Sequence, residues 1–183
     1  MDQQYRILTV CTGNICRSPA AAAWLTALSD GSVAVASAGT AAVVGAPVHP
    51  PMAALMRRAG LSRAGFTARQ ATAGLVGQAD LVLTMTAQHR AWVVGREPAA
   101  VRRTFTLLEF AGFAHLVGGG RRVPTADWLR HVVASVPTLR TQLGGTGPAD
   151  AHDVPDPYGL GNDVYKLAFT LIEGAVRDIL KHS

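Results

Sequence analysis

The sequence predicts an α/β domain built on a parallel sheet, and three observations carry that prediction. Short apolar segments rich in β-branched residues recur along the chain. Segments with helical periodicity, or with helix start and stop signals, separate them. Strands that alternate with helices in this way form parallel sheets with right-handed crossovers.

Residues 5–10 (YRILTV) are short and apolar and read as a buried strand. Residues 11–17 form a polar loop containing Gly13 and Asn14, both tolerant of positive φ. Ser18 suits an N-cap and Pro19 a first helical position, so a helix is expected to start there and continue through 28. A second strand is expected over 33–37, a Gly/Pro loop over 39–51, and a helix over 51–59 that stops at Gly60. A short helix over 72–77 precedes a third buried strand, 80–85 (DLVLTM). A helix over 86–95, a fourth strand over 103–107 and a helical turn or start over 108–112 follow.

Residues 118–150 break the alternation. Gly118-Gly119-Gly120-Arg121-Arg122 is a basic loop, and residues 126–143 suit an amphipathic helix broken near Pro137. The segment is expected as an excursion from the sheet within a single domain spanning 1–183. The chain closes with a helix over 162–181, whose Val164, Leu167, Ala168, Leu171, Ala175 and Ile179 keep the helical period.

Composition limits the possible functions. With 183 residues, 49% hydrophobic and 16% charged, the chain can bury one full core, which excludes global disorder. Lys plus Arg is 17 and Asp plus Glu is 12; the net charge of +5 favours anionic partners without choosing among them. The first residues carry no basic region followed by an apolar run, and no segment approaches the roughly 20 apolar residues that span a bilayer. A cytoplasmic, reducing setting and no membrane partner are therefore expected. Two cysteines, Cys11 and Cys16, make neither a disulfide scaffold nor a complete zinc site.

The informative unit is the stretch from Val10 to Pro19 (VCTGNICRSP). A loop that leaves a strand and enters a helix can turn several backbone N–H groups toward an anion, and the helix N-terminus adds positive potential. Cys11 stands at the carboxyl end of the first strand, where ligands of open α/β sheets gather. The same field favours its thiolate, the nucleophilic form. Arg17 offers a planar fork for two phosphate oxygens. Ser18 can donate a hydrogen bond to the cysteine sulfur. Together they suit covalent catalysis at phosphorus, with the amides of residues 12–17 and Arg17 holding the equatorial oxygens. Such a mechanism also needs an acid for the leaving group, which then serves as base for water. Asp156, stiffened between Pro155 and Pro157, is the candidate.

The stretch from Val10 to Pro19 resembles the signature loop of the low-molecular-weight protein tyrosine phosphatases, and Asp156-Pro157-Tyr158-Gly159 resembles that family's general-acid loop. Ser37-Ala38-Gly39-Thr40, Ala68-Arg69-Gln70 and the 79–89 segment (ADLVLTMTAQH) are similar to further family segments in the same order. The resemblance covers nearly the whole chain outside about 112–151, which then reads as a family-atypical insertion. It implies one three-layer domain, with a central four-stranded parallel sheet, helices on both faces and the phosphate loop between the first strand and first helix. It implies Cys11 as nucleophile, Arg17 as phosphate clamp and Asp156 as acid then base. Thr12, Gly13, Asn14, Ile15, Cys16, Arg17, Ser18 and Tyr158 would bind the substrate and its phosphate. Asn14 would hold the strained loop, and Cys16 would be either the redox partner of Cys11 or a small side chain packed in the loop. The implied activity is hydrolysis of protein phosphotyrosine, with no cofactor and no metal.

The sequence departs from the family at three places. Phe66 stands where many members carry a His that joins the brace of the loop Asn and Ser; its absence bears on the bracing of Asn14 and not on the chemistry. Residues 40–45 (TAAVVG) lack an aromatic, and the acid loop has one aromatic, Tyr158, where others have two. Ile15 matches the tyrosine-directed members, whereas the protein-arginine phosphatases of the same fold carry Thr. Phosphoarginine is the alternative substrate, and a non-catalytic phosphate-binding or redox-sensing module is the alternative of another class. An arsenate reductase would need further cysteines. His49, His89 and His152 show no metal-ligand spacing. Trp24, Trp92 and Trp128 are expected to pack within helices, and Arg102, Arg103, Arg121 and Arg122 to lie on solvated faces. Nucleic acid is not an expected partner, and no feature points to a particular oligomeric state.

Overall fold

The computed structural model describes residues 4–61, 64–119, 122–144 and 153–183. Four strands form one parallel sheet: β1 (Tyr5–Cys11), β2 (Val33–Gly39), β3 (Leu81–Thr84) and β4 (Thr104–Thr106), in the order β2-β1-β3-β4. Seven α-helices among the described residues surround it: α1 (Arg17–Leu28), α2 (Pro50–Arg58), α3 (Ala73–Gly77), α4 (Ala87–Arg96), α5 (Leu107–Val117), α6 (Thr125–Gln142) and α7 (Asn162–Ile179). A 3₁₀ helix, Pro98–Arg103, leads into β4.

The alternation of side chains along each strand builds the three layers. Ile7, Leu81, Leu83 and Phe105 face one side and pack with α1, α5, α6 and α7 in the larger core. Leu8, Val10 and Val82 face the other side and meet Val76, Val93 and Ala100 from α3, α4 and the 3₁₀ helix. Both sides of the central strands are buried, which explains their uninterrupted apolar sequences. The alanines of α1 are buried at 20, 21 and 22, and small side chains let that helix lie close to the sheet and to α7.

Two expectations change. Ser18 is not an N-cap: α1 starts at Arg17, and the Ser18 hydroxyl is spent on Cys11 and Asn14. Pro19 still fits, because the first-turn N–H groups have no partner inside the helix anyway. Nor does Pro137 break α6, which runs through it from Thr125 to Gln142. Packing on both sides of the proline outweighs the lost backbone bond. Trp128, Leu129, Val132 and Val136 are buried in the main core, the Trp128 indole N–H donates to the Ile179 carbonyl (2.6 Å), and Arg140 pairs with Glu109 of α5 (2.6 Å). The described part of 112–151 is thus integral to the core, and α5 extends the expected turn at 108–112 to Val117.

Helix α6 has no cap of its own; Pro124 precedes it. The connection between α1 and β2 supplies one. Asp30 accepts from the Thr125 amide (3.0 Å) and Ser32 from the Ala126 amide (3.0 Å). The hydrogen bonds that the carboxylate accepts from the Ser32 hydroxyl and amide, with the one from Thr125, hold the Asp30 carboxyl down at about 2.

Candidate active site

The loop between β1 and α1 is shaped by what its carbonyls touch. The carbonyls of Cys11, Thr12 and Gly13 accept from the amides of Thr40, Ala41 and Val43, and that of Ile15 accepts from the His49 amide, all within 3.0 Å. In a planar trans peptide the next N–H points the opposite way. The amides of Thr12, Gly13, Asn14 and Cys16 are therefore turned from the surrounding loops, as an anion cradle requires. Gly39 makes this approach possible: a Cβ there would collide with the Thr12 carbonyl and crowd the Asn14 nitrogen.

Asn14 takes φ 55°, the one positive φ at a non-glycine among the described residues. Its buried side chain holds that turn from two sides. Nδ2 donates to Ser18 Oγ (2.9 Å), and Oδ1 accepts from the Arg69 amide (2.9 Å). The expected weakness at Phe66 is thus answered by the backbone of Arg69. Because Ser18 Oγ accepts from Asn14, its own proton is free for Cys11 Sγ at 3.0 Å or the Ala38 carbonyl at 3.3 Å.

Arg17 is buried, and its fork reaches the acid loop. Nη1 donates to the Val154 carbonyl (3.2 Å), and Nη2 meets Asp156 Oδ2 at 2.5 Å. Nε has no hydrogen-bond partner among the described residues, although a buried guanidinium N–H normally finds one. The acid loop is itself fixed to β3 and α4: the Val154 amide donates to the Met85 carbonyl, and Asp153 Oδ1 accepts from the Ala87 amide. Asp156 Oδ1 accepts from the Tyr158 amide (3.2 Å), and half of its side chain is exposed.

A pocket of about 190 Å³ lies between these parts. Cys11, Thr12, Gly13 and Arg17 line its floor, Ile15, Ala41 and Val43 supply apolar wall, and Asp156 and Tyr158 border it. All residues expected at the site come together here, except that Asn14 and Ser18 act from beneath it. Burial and the neighbouring Cys11 sulfur push the Cys16 thiol up to about 12.

Two histidines dismissed by spacing also belong to the surroundings. His49 Nδ1 meets the Tyr165 hydroxyl at 2.9 Å, and its ring lies edge-on to Tyr158 at 5.2 Å. His89 sits between the hydroxyls of Thr12 and Thr86. The Thr12 partner of His89 lies 77 positions away and the Tyr165 partner of His49 lies 116 away, so ligand spacing does not reveal either contact. His152 and Arg121 lie outside the described residues. Among the described residues, no cluster of three or more His, Cys, Asp or Glu is placed to hold a metal, and no helix is long and apolar enough to cross a membrane.

The family model for low molecular weight phosphotyrosine protein phosphatase matches residues 6–116. The chain is 30% identical over 173 residues to the low molecular weight protein-tyrosine-phosphatase Wzb of Salmonella typhi, covering 94% of this chain and 89% of that protein. It is 40% identical over 107 residues to a probable low molecular weight protein-tyrosine-phosphatase, EpsP, of Ralstonia nicotianae, covering 58% of this chain and 73% of that one. The solved YwlE arginine phosphatase from Geobacillus stearothermophilus superimposes with a TM-score of 0.69 at 29% identity, over 97% of this chain and 91% of that one. With the family model matching well over half of the chain and a 30% identical relative covered almost from end to end, the chain belongs to the low molecular weight protein tyrosine phosphatase family.

Proposed function

We propose that the protein hydrolyses phosphotyrosine in proteins through a cysteinyl-phosphate. The observation that carries this reading is the meeting of Cys11, the buried Arg17 and Asp156 around one pocket. The Cys11 thiolate attacks phosphorus, the P–O bond to the tyrosine breaks, and Asp156 gives its proton to the departing phenolate oxygen. Water, losing a proton to Asp156, then attacks the phosphorus of the S–P intermediate and releases phosphate and the thiolate. The inward amides and Arg17 hold the three equatorial oxygens through both steps, and Ser18 hydrogen-bonds the sulfur as it leaves. Asn14 keeps the loop in shape.

The pocket walls favour an aromatic ester. Ile15, Ala41 and Val43 are apolar, and Tyr158 supplies the one aromatic edge. A guanidinium in their place would find few hydrogen-bond acceptors. The test is turnover of phosphotyrosine and phosphoarginine peptides at equal concentration, with Cys11→Ser as control. Phosphotyrosine preference that Cys11→Ser abolishes supports the reading. Phosphoarginine preference would transfer the site to the other substrate, and phosphate binding without turnover would make it a binding module.

Cys16 is the proposed redox partner of Cys11 in a reducing, cytoplasmic setting; both thiols are free. One cause of the raised Cys16 thiol, the Cys11 charge, disappears once Cys11 is oxidised to the uncharged sulfenic acid. Cys16 sulfur can then displace water from it to form the disulfide. After peroxide sufficient to carry an unprotected Cys11 to the irreversible sulfinic acid, wild type should regain activity with dithiothreitol, whereas Cys16→Ser should not.

A further inference from the structure

We propose that His89 is a positioning residue for the phosphate cradle: it fixes the Thr12 side chain and, through that hydroxyl, the outer nitrogen of Arg17. This rests on the phosphatase reading of the pocket.

The first turn of α4 is anchored without the imidazole. Thr86 Oγ1 accepts from the His89 backbone amide (3.1 Å), and Asp153 accepts from Ala87 (2.8 Å). Any residue but proline at 89 keeps both bonds, so capping does not explain the ring. The ring is buried, yet both nitrogens have partners. Nδ1 lies 2.8 Å from Thr86 Oγ1, and Nε2 lies 2.9 Å from Thr12 Oγ1 across 77 positions of sequence. A neutral imidazole has one donor and one acceptor, and hydroxyls can answer either role. Burial, with the nearby Arg17 charge, holds the ring neutral by lowering its pKa to about 4.

Thr12 Oγ1 is also where Arg17 Nη2 reaches on its other side, at 3.5 Å. That nitrogen carries the Asp156 contact. The Thr12 carbonyl is already tied to the Ala41 amide, so the backbone of residue 12 is fixed, and what His89 adds is a short hold at 2.9 Å on a hydroxyl that otherwise meets Arg17 Nη2 at 3.5 Å. The ring does not line the pocket and has no free nitrogen, so it acts through Thr12 rather than on substrate. Its contribution is preorganisation: Arg17 meets the transferring phosphoryl group with its outer nitrogen already aimed.

The test uses two variants that each keep one arm of the ring. His89→Gln places an amide nitrogen near the position of Nε2 and can still bond Thr12. His89→Asn reaches Thr86 only. With 4-nitrophenyl phosphate, His89→Asn should lower kcat about tenfold, with KM changed less than about twofold. His89→Gln should recover to within about threefold of wild type. Thr12→Val should show the His89→Asn loss, and combining the two should add less than about twofold, because one interaction cannot be removed twice. Equal losses for Asn and Gln, or losses that multiply in the double variant, would overturn the proposal and leave His89 a packing residue. Thermal melting of each variant separates misfolding from misplacement. If wild type itself fails to turn over, the phosphatase reading fails first; inorganic phosphate affinity by calorimetry, weakened in Asn and restored in Gln, then still decides the role of His89.

Discussion

Arg17 and Asp156, separated by 139 positions of chain, meet at 2.5 Å across the mouth of the pocket. One partner is buried and the other half exposed, so the pair joins the interior of the site to its solvent edge. The proposed phosphate clamp and the proposed proton donor are thus placed by one contact. Asp156→Ala should lower kcat about a hundredfold for esters with poor leaving groups and far less for good ones. A plot of rate against leaving-group pKa checks this, and a uniform loss would remove Asp156 from proton transfer.

Asn14 is strained and buried, and both ends of its amide are used. Asn14→Ala leaves the Arg69 amide without its acceptor and keeps the positive φ. It should cost about 1–3 kcal/mol of stability and most of the activity. Asn14→Gly relieves the backbone alone, so denaturation should show partial recovery of stability while kinetics show little recovery of rate.

The neutral His89 makes stability depend on pH. An unfolded chain protonates this side chain near 6.5, whereas the fold resists until about 4. The unfolded state therefore binds more protons between those values, and stability must fall as pH drops through that window. Arg17 opposes the charged ring, and Asp153 and Asp156 favour it less strongly. Unfolding free energies from urea titrations between pH 7 and 4 should fall more steeply for wild type than for His89→Gln, by an amount on the order of 3 kcal/mol.

The borrowed cap of α6 gives a prediction remote from catalysis. Asp30→Ala removes the acceptor of the Thr125 amide and should cost about 1 kcal/mol, with kcat unchanged. The Asp30 carboxyl titrates near 2 in the fold and near 3.8 otherwise. Its contribution is present above that ordinary value and lost as pH falls toward 2, so the gap between variant and wild type should close in acid.

The parts legible in the sequence are those coded locally. Apolar runs mark the first three strands, and Cys11, Arg17 and Ser18 lie within eight consecutive residues. Asp156 is distant, but its flanking prolines and resemblance to the acid loop give it away. The contacts that escaped connect remote segments whose residues are individually unremarkable: Thr12 with His89, Asn14 with the Arg69 amide, Asp30 with the start of α6. A backbone amide leaves no mark in a sequence, which is why Phe66 suggested a weak brace where Arg69 supplies one. Pro137 misled for a related reason: its local penalty is fixed, whereas the tertiary packing that outweighs it depends on α5 and α7.

Gly39 carries a consequence for the order of folding. It is the register partner of Cys11 at the end of the β1–β2 pairing, and the catalytic loop passes directly over it. A slip of one residue would put Ala38 or Thr40 beneath the Thr12 carbonyl, where a Cβ does not fit. The loop therefore closes only after those two strands have paired in register, and affinity for phosphate should be the last property to return on refolding, with none in the isolated 10–19 peptide.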